Sequence, residues 1–351
     1  MKRRLFQALW MSLVAILFMF FFVVDPFEHV ADFEMSDFYL RTSARMRPTV
    51  LSKDIVILSV DHLSRPGIAK AVERADFLGA SAVALDIFFN GDTEYDNDVA
   101  EALSSCEHLV LPSSLTESFY SPVFDKLKDT PRGFTNLECK KDGGIIRSFR
   151  VEQAGNFSLP AIASGKTCSR GGIIRYDGVE FDVLVPEQMT EKDVAGKIVF
   201  VGNVNDFSDC HSTPMGTMSG VVIQAYICQT LISGNAPKEW PGWLLFIIAY
   251  IIEVIVLLCY IRISDIDEEN PAVGGDLADM AIRFGQILLL VLLYMSGVAI
   301  FVYFGNYADF SLSLLMVAAA LFVFDMVQGC KAIKQLYLKR KNNKMRNKSV
   351  E

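Results

Sequence analysis

The stretch Asp54–Val60, Asp-Ile-Val-Ile-Leu-Ser-Val, runs into Asp61 and decides the fold. Its apolar residues are mostly β-branched and do not alternate with polar ones. A run of this kind fits a strand buried on both faces, as in a parallel sheet covered by helices. Working outward, Ile68–Leu78 has helical spacing and stops at Gly79, a C-cap signal. Ser81–Leu85 is the next strand and ends at Asp86; Asp98–Leu103 belongs to a short helix, and His108–Pro112 is a third strand. This βαβαβ order predicts parallel strands joined by right-handed crossovers. Gly133–Leu137 and Ile145–Val151 flank a Lys-Asp-Gly-Gly turn and read as a hairpin. Ile173–Tyr176 and Val179–Val185 flank an Asp-Gly turn and read as another. Lys197–Val201 returns to the buried-strand pattern, and Val221–Ile232 is a helix closed by Gly234. Upstream, Phe27, Val30, Phe33, Phe38 and Leu40 suggest an amphipathic helix over Phe27–Arg47. The expectation for residues 25–241 is an α/β domain: a mixed, largely parallel sheet flanked by helices.

Apolar residues make up 52% of the chain beside 21% charged ones, and the mean hydropathy is +0.32. That combination predicts an ordinary domain joined to separate apolar segments. Four such segments stand out, at residues 5–24, 242–261, 284–304 and 310–330. Each is near the ~20 residues a helix needs to cross roughly 30 Å of hydrocarbon. Lys2, Arg3 and Arg4 precede the first, placing residues 1–4 in the cytoplasm by the positive-inside rule. The tail 331–351 is rich in Lys and Arg and is placed there too, which requires an even number of spans. The connector 262–283 has an Arg at each edge and is assigned to the inside; 305–309 has no Lys or Arg and is assigned to the outside. Trp240 and Trp243 read as interfacial anchors. The first apolar segment is longer than a signal-peptide core and is followed by Asp25-Pro26-Phe27, so an uncleaved anchor is expected. Membrane lipid is therefore a partner, and no motif for reading nucleic acid accompanies the basic tail. Cys106, Cys139, Cys168, Cys210 and Cys228 fall in the external region, and the sequence leaves their pairing open.

In order along the chain come Asp61, Leu78–Phe89 (LGASAVALDIFF), Asp96–Ala100 (DNDVA), Gly133-Phe134-Thr135-Asn136 and Asp142-Gly143-Gly144-Ile145-Ile146-Arg147. Gly196–Gly202 (GKIVFVG), Asp209–Pro214 (DCHSTP) and Gly220–Gly234 (GVVIQAYICQTLISG) complete the series. As an ordered set these resemble the type-two CHASE family, extracytoplasmic sensory domains of bacterial receptors. One leading span and three trailing spans also resemble that family. The resemblance implies the bacterial inner membrane, with the main domain on its outer side. Such receptors usually continue into a kinase or cyclase; here a basic tail stands in that place, so a separate partner carrying the output is expected. The family's Trp/Pro/Arg-rich stretch after the first strand is reduced here to Arg65-Pro66-Gly67.

Sites in open parallel sheets lie at the carboxyl ends of strands. Asp61 and Asp86 take that position on strands expected to be neighbours, and the loop after Gly202 carries Asp206, Asp209, His211 and Thr213. Asp61, Asp86, Asp209, His211 and Thr213 are thus the candidate ligand-binding set. Carboxylates and an imidazole could hold a divalent metal or supply a base; the plainer reading is that they cap helices and shape a loop. No Gly-rich phosphate loop, nucleophile elbow, Cys-x-x-Cys or His-Glu-x-x-His is present, so no enzyme activity is expected, and cofactor and metal remain unknown. Glu253 lies midway along 242–261, where an acid costs about 2.5–3.5 kcal/mol on insertion scales. It is expected to face the bundle interior, with Tyr294 and Ser296 at comparable depth as hydrogen-bonding partners. It serves either coupling to another span or the fixing of helix pairing. Three functions follow: a sensor subunit acting through another protein, a scaffold subunit of an envelope complex, and, more weakly, a metal-dependent hydrolase built on Asp61, Asp86 and His211. Self-association is compatible with each.

Overall fold

The structure is a computed structural model and describes residues 2–23, 34–116, 120–139, 144–269 and 275–348. The chain divides into two compact units. One is Asp32–Lys238 with Phe301–Asn306; the other is Met1–Ala31, Glu239–Ile300 and Tyr307–Glu351.

The first unit is built on six strands, numbered here in chain order: β1 Val50–Ser59, β2 Ala82–Leu85, β3 Leu109–Ser113, β4 Arg132–Phe134, β5 Val179–Leu184 and β6 Ile198–Gly202. Their order in the sheet is β4-β3-β2-β6-β1-β5, with every neighbouring pair parallel. The continuous apolar run of β1 is explained by helices on both sides. Val56, Leu58 and Val60 face one core with the helices Arg65–Phe77, Asp96–Ser104 and Pro122–Lys126. Ile55 and Ile57 face a second core with Leu159–Ala163 and Gly220–Ser233. Strand β6 is buried along its whole length. It ends on Gly202, where a Cβ would stand 2.7 Å from Val221 Cβ, so only glycine lets the following helix lie this close to the sheet. That helix closes on Gly234 at φ 60°, the left-handed C-cap the sequence calls for.

Three expectations are corrected. β1 and β2 are not neighbours, because β6 inserts between them. Gly133–Leu137 and Ile145–Val151 do not form a hairpin: β4 joins the parallel sheet, and Ser148–Phe149 pairs with Gly172–Ile173. A single antiparallel bridge, Glu138 to Ser148, is what remains of that pairing, and most of the intervening turn lies outside the described residues. Ile173–Tyr176 and Val179–Val185 do not form a hairpin either, since β5 runs parallel to β1 at the sheet edge.

The helix expected over Phe27–Arg47 is observed as Met35–Met46; Phe27, Val30 and Phe33 lie outside the described residues. It is tied to the domain by a buried bidentate pair. Arg147 Nε donates to Asp37 Oδ1 at 2.7 Å and Nη2 to Oδ2 at 2.8 Å. Further along, Arg41 Nε donates to the Pro214 carbonyl at 2.7 Å, and the Ser43 hydroxyl donates to Asp177.

In the second unit, three helices contain stretches long and apolar enough to cross a membrane: Gly242–Ile263, Met280–Phe304 and Ser311–Leu338. The first helix runs Lys2–Val23 and is apolar over Arg4–Ile16 among residues whose side chains are described. Within this unit, Ala8 and Ala15 pack with Ala249, Ala319 and Ala320, small residues that let backbones approach, and with Met316. The helices run past the expected spans, to Glu269 and, in the tail, to Lys348.

The Asp37–Arg147 pair yields a prediction. Asp37→Ala removes the bidentate partner of a buried guanidinium, whose other carboxylate, Glu34, stands 3.8 Å away, and is expected to cost about 3 kcal/mol, whereas Asp37→Leu with Arg147→Met should cost much less. Thermal unfolding of both variants in detergent measures the difference, and equal losses would contradict it.

Candidate functional site

The carboxyl ends of β2, β3, β4 and β6 border a cavity of about 520 Å³. Its position follows from the chain path. β1 and β2 lead into helices on one face of the sheet, while β6 leads to Gly220–Ser233 on the other. Connections leaving neighbouring strands in opposite directions open a crevice between them, the usual place for a ligand in such sheets.

Beyond β2 the wall is Asp86, Ile87 and Phe88; beyond β6 it is Asn203, with Asp209 and His211 following. Ser114 and Thr116 come from the end of β3, and Thr135 and Asn136 from the end of β4. Gln224 enters from the helix and donates from Nε2 to the Thr135 carbonyl at 2.7 Å. Asn136 accepts from the Leu115 backbone N–H at 2.8 Å and donates to Thr116 Oγ1 at 3.2 Å, locking the β3 and β4 loops together. Asp209 Oδ1 lies 3.3 Å from His211 Nε2. Gly220 faces the Asp209 carboxylate so closely that a Cβ would lie 2.6 Å from Oδ2. Asp86 is half-buried at the cavity wall, and its backbone N–H is held by the Val201 carbonyl at 2.8 Å. Loss of water pushes its carboxyl up to about 7; the charge of Asp209 adds to the rise and His211 opposes it.

Of the five residues singled out from sequence, the cavity gathers Asp86, Asp209 and His211. Asp61 is turned to another task. It accepts from the Ser59 hydroxyl at 2.6 Å and from the Asn205 backbone and side chain at 3.0 and 2.7 Å. Partial burial pushes its carboxyl up, but these hydrogen bonds outweigh that and hold it below the ordinary value. Thr213 is a turn residue: its hydroxyl donates to the Gly216 carbonyl at 2.6 Å inside the hairpin Cys210–Thr213/Gly216–Ser219. Among the described residues no three of His, Cys, Asp and Glu stand close enough to share a metal ion. The seven cysteines are free thiols.

Sequence reasoning passed over Ser114, Thr116, Asn203 and Gln224 as site residues. Gln224 did leave a signal, as a polar residue among the mostly apolar buried positions of its helix.

In the helical unit, Glu253 is fully buried and accepts from the Ser12 hydroxyl at 2.9 Å, while its Oε1 has no hydrogen bond among the described residues. Ser12 was not anticipated. Ser296 instead donates to the Leu293 carbonyl of its own helix at 2.7 Å, and Tyr294 lies half-buried on that helix.

A family model described as the CHASE2 domain matches residues 12–262. The chain belongs to the CHASE2 domain family. This is a family of extracytoplasmic sensory domains, which agrees with a parallel sheet that keeps a polar crevice open at its carboxyl edge. No curated protein and no solved structure matches the chain.

The elevated Asp86 carboxyl sets a pH dependence. The folded state holds this proton more tightly than the unfolded chain does, so the contribution of Asp86 to stability is fully present below about pH 4 and is lost as pH rises towards 7. Asp86→Asn is therefore expected to stabilise the protein by about 1–3 kcal/mol at pH 8 and hardly at all at pH 4. Thermal midpoints of both proteins across that range provide the check; a gain independent of pH would contradict the assignment.

Proposed function

We propose that this CHASE2 protein is a membrane-anchored sensor subunit that receives a small polar ligand in the β2/β6 crevice and acts through a separate partner protein. The observation that carries the reading is the composition of the crevice. Hydroxyls, amides, the Asp86 and Asp209 carboxyls and the His211 imidazole line it, and among the described residues neither Lys nor Arg does. Such a wall suits a neutral or cationic polar molecule and disfavours an anion.

The proposed topology has four spans, with residues 5–24 as the first, both termini in the cytoplasm and the α/β unit outside the inner membrane. The Lys and Arg distribution at the segment ends supports it. The stretch Met280–Phe304 exposes Ile287, Leu288, Val291, Leu292 and Met295, a surface available to lipid or to a partner's span. Family membership supports sensing over the scaffold role. The metal-dependent hydrolase loses its geometric basis, because Asp61 is engaged by Ser59 and Asn205 and does not line the crevice with Asp86 and His211.

A thermal-shift screen of the full chain in detergent, against amines, sugars and carboxylic acids, tests the ligand reading. A ligand for the crevice should bind about tenfold more weakly to Asp86→Asn or Gln224→Leu. Binding that neither substitution weakens would place the ligand elsewhere.

A further inference from the structure

The α/β unit holds a second concavity, of about 500 Å³ and opposite in character to the crevice. Arg47, Arg175 and Lys238 line it together with the amides Asn235 and Asn306, and among the described residues no Asp or Glu borders it. Two of the cations are fixed in place. Arg175 is buried, donates from Nη2 to Asp177 at 2.9 Å, and lies with its guanidinium 4.7 Å from the centre of the Phe301 ring. Arg47 donates from Nη2 to the Val302 carbonyl. Asp177 accepts from Arg175 and also from the Ser43 hydroxyl, so its charge is already engaged. Burial lowers the pKa of Arg175; Asp177 opposes the fall and the nearby charge of Arg47 adds to it. A guanidinium remains charged nonetheless, so the lining keeps an excess of positive charge that no side chain bordering it answers.

We propose that this concavity binds the phosphate of a phospholipid headgroup. The chemistry is that of any phosphate: guanidinium groups offer paired N–H donors to its oxygens, and Lys238 adds a mobile charge. The source is argued from the remaining wall. Val302, Tyr303 and Phe304 are the last turn of the helix Gly275–Phe304, and they end a stretch apolar enough to cross a membrane. The end of a span is where headgroup phosphates lie. Tyr303 and Phe304 are 73% and 74% exposed there, as aromatic residues at a lipid interface are. The inference rests on the outward topology proposed above, so its test separates the two.

The full chain in detergent is titrated with a short-chain phosphatidylglycerol and, in parallel, with inorganic phosphate, reading the thermal midpoint. The lipid should raise the midpoint, and Lys238→Glu or Arg47→Gln should weaken its binding about fivefold each, the effect of one surface cation on an anionic headgroup. Arg47 is only half-buried and Lys238 is exposed, so both variants should fold. In cells, Asn235→Cys should react with an impermeant thiol reagent in a background lacking the other exposed cysteines. Reaction only after permeabilisation would overturn the proposal through its topology. External reaction with lipid binding unchanged in both variants would overturn it through the site, and an equal response to inorganic phosphate would overturn the assignment to a lipid.

Discussion

The fold of the α/β unit turns on one five-residue strand. Ile198–Gly202 lies between β1 and β2, has parallel neighbours on both sides and helices on both faces, and is buried throughout. Nothing polar could occupy it without losing a hydrogen-bonding partner, which accounts for the sequence Ile-Val-Phe-Val-Gly. Its insertion also separates Asp61 from Asp86. Because β6 leads to the face opposite the one reached from β1 and β2, the sheet must open at its carboxyl edge. The crevice is thus a consequence of strand order, and Gly202 is where the two requirements meet: the strand ends there and the next helix crosses within contact distance.

The helices on the two faces of the sheet are held by apolar cores, whereas helix Met35–Met46 is fixed by polar contacts as well. Beside the buried Tyr39 and Leu40, its inner side carries Asp37 on Arg147, Arg41 on the Pro214 carbonyl and Ser43 on Asp177. These partners lie outside the six-stranded sheet, in or beside paired segments only two to four residues long. Short pairs of strands are marginal alone, so buried charge pairs supply the register that the backbone ladder cannot. Arg147, quoted from sequence as a family landmark, has a structural role for this reason.

What the sequence disclosed and what it withheld divide along the same line. Doubly buried strands announce themselves, and β1, β2, β3 and β6 were read to within two residues or so at most ends. The two hairpins were misread because a Gly-rich turn specifies a reversal of the chain but not its partner. β5 carried a better clue: Val179, Phe181 and Val183 alternate with Glu180 and Asp182, the pattern of a half-exposed edge strand, and the sheet places it at the edge. In the crevice, Asp86 was legible because a carboxylate closing an apolar strand stands at the carboxyl edge of the sheet, where sites lie, although a helix cap was the plainer reading. Asn136 and Gln224 were not, since an amide acquires its meaning only from the backbone groups it meets, and those come from strands and helices distant in sequence.

The helical unit poses the same question of register in a solvent that offers little help. Alanines at positions 8, 15, 249 and 320 bring helices close, but such contacts are uniform around a helix and do not fix its rotation. A polar pair does. Ser12 donates to Glu253 at 2.9 Å with both residues fully buried. Turning either helix by one residue, about 100°, would carry one partner out of reach and leave a carboxyl facing lipid at a cost of roughly 2.5–3.5 kcal/mol. The bundle therefore has one preferred rotational arrangement separated from its neighbours by a definite gap. A ligand can shift a helix equilibrium only where discrete states exist, and the Ser12–Glu253 contact is an interaction that would differ between such states; among the described residues Glu253 Oε1 has no donor.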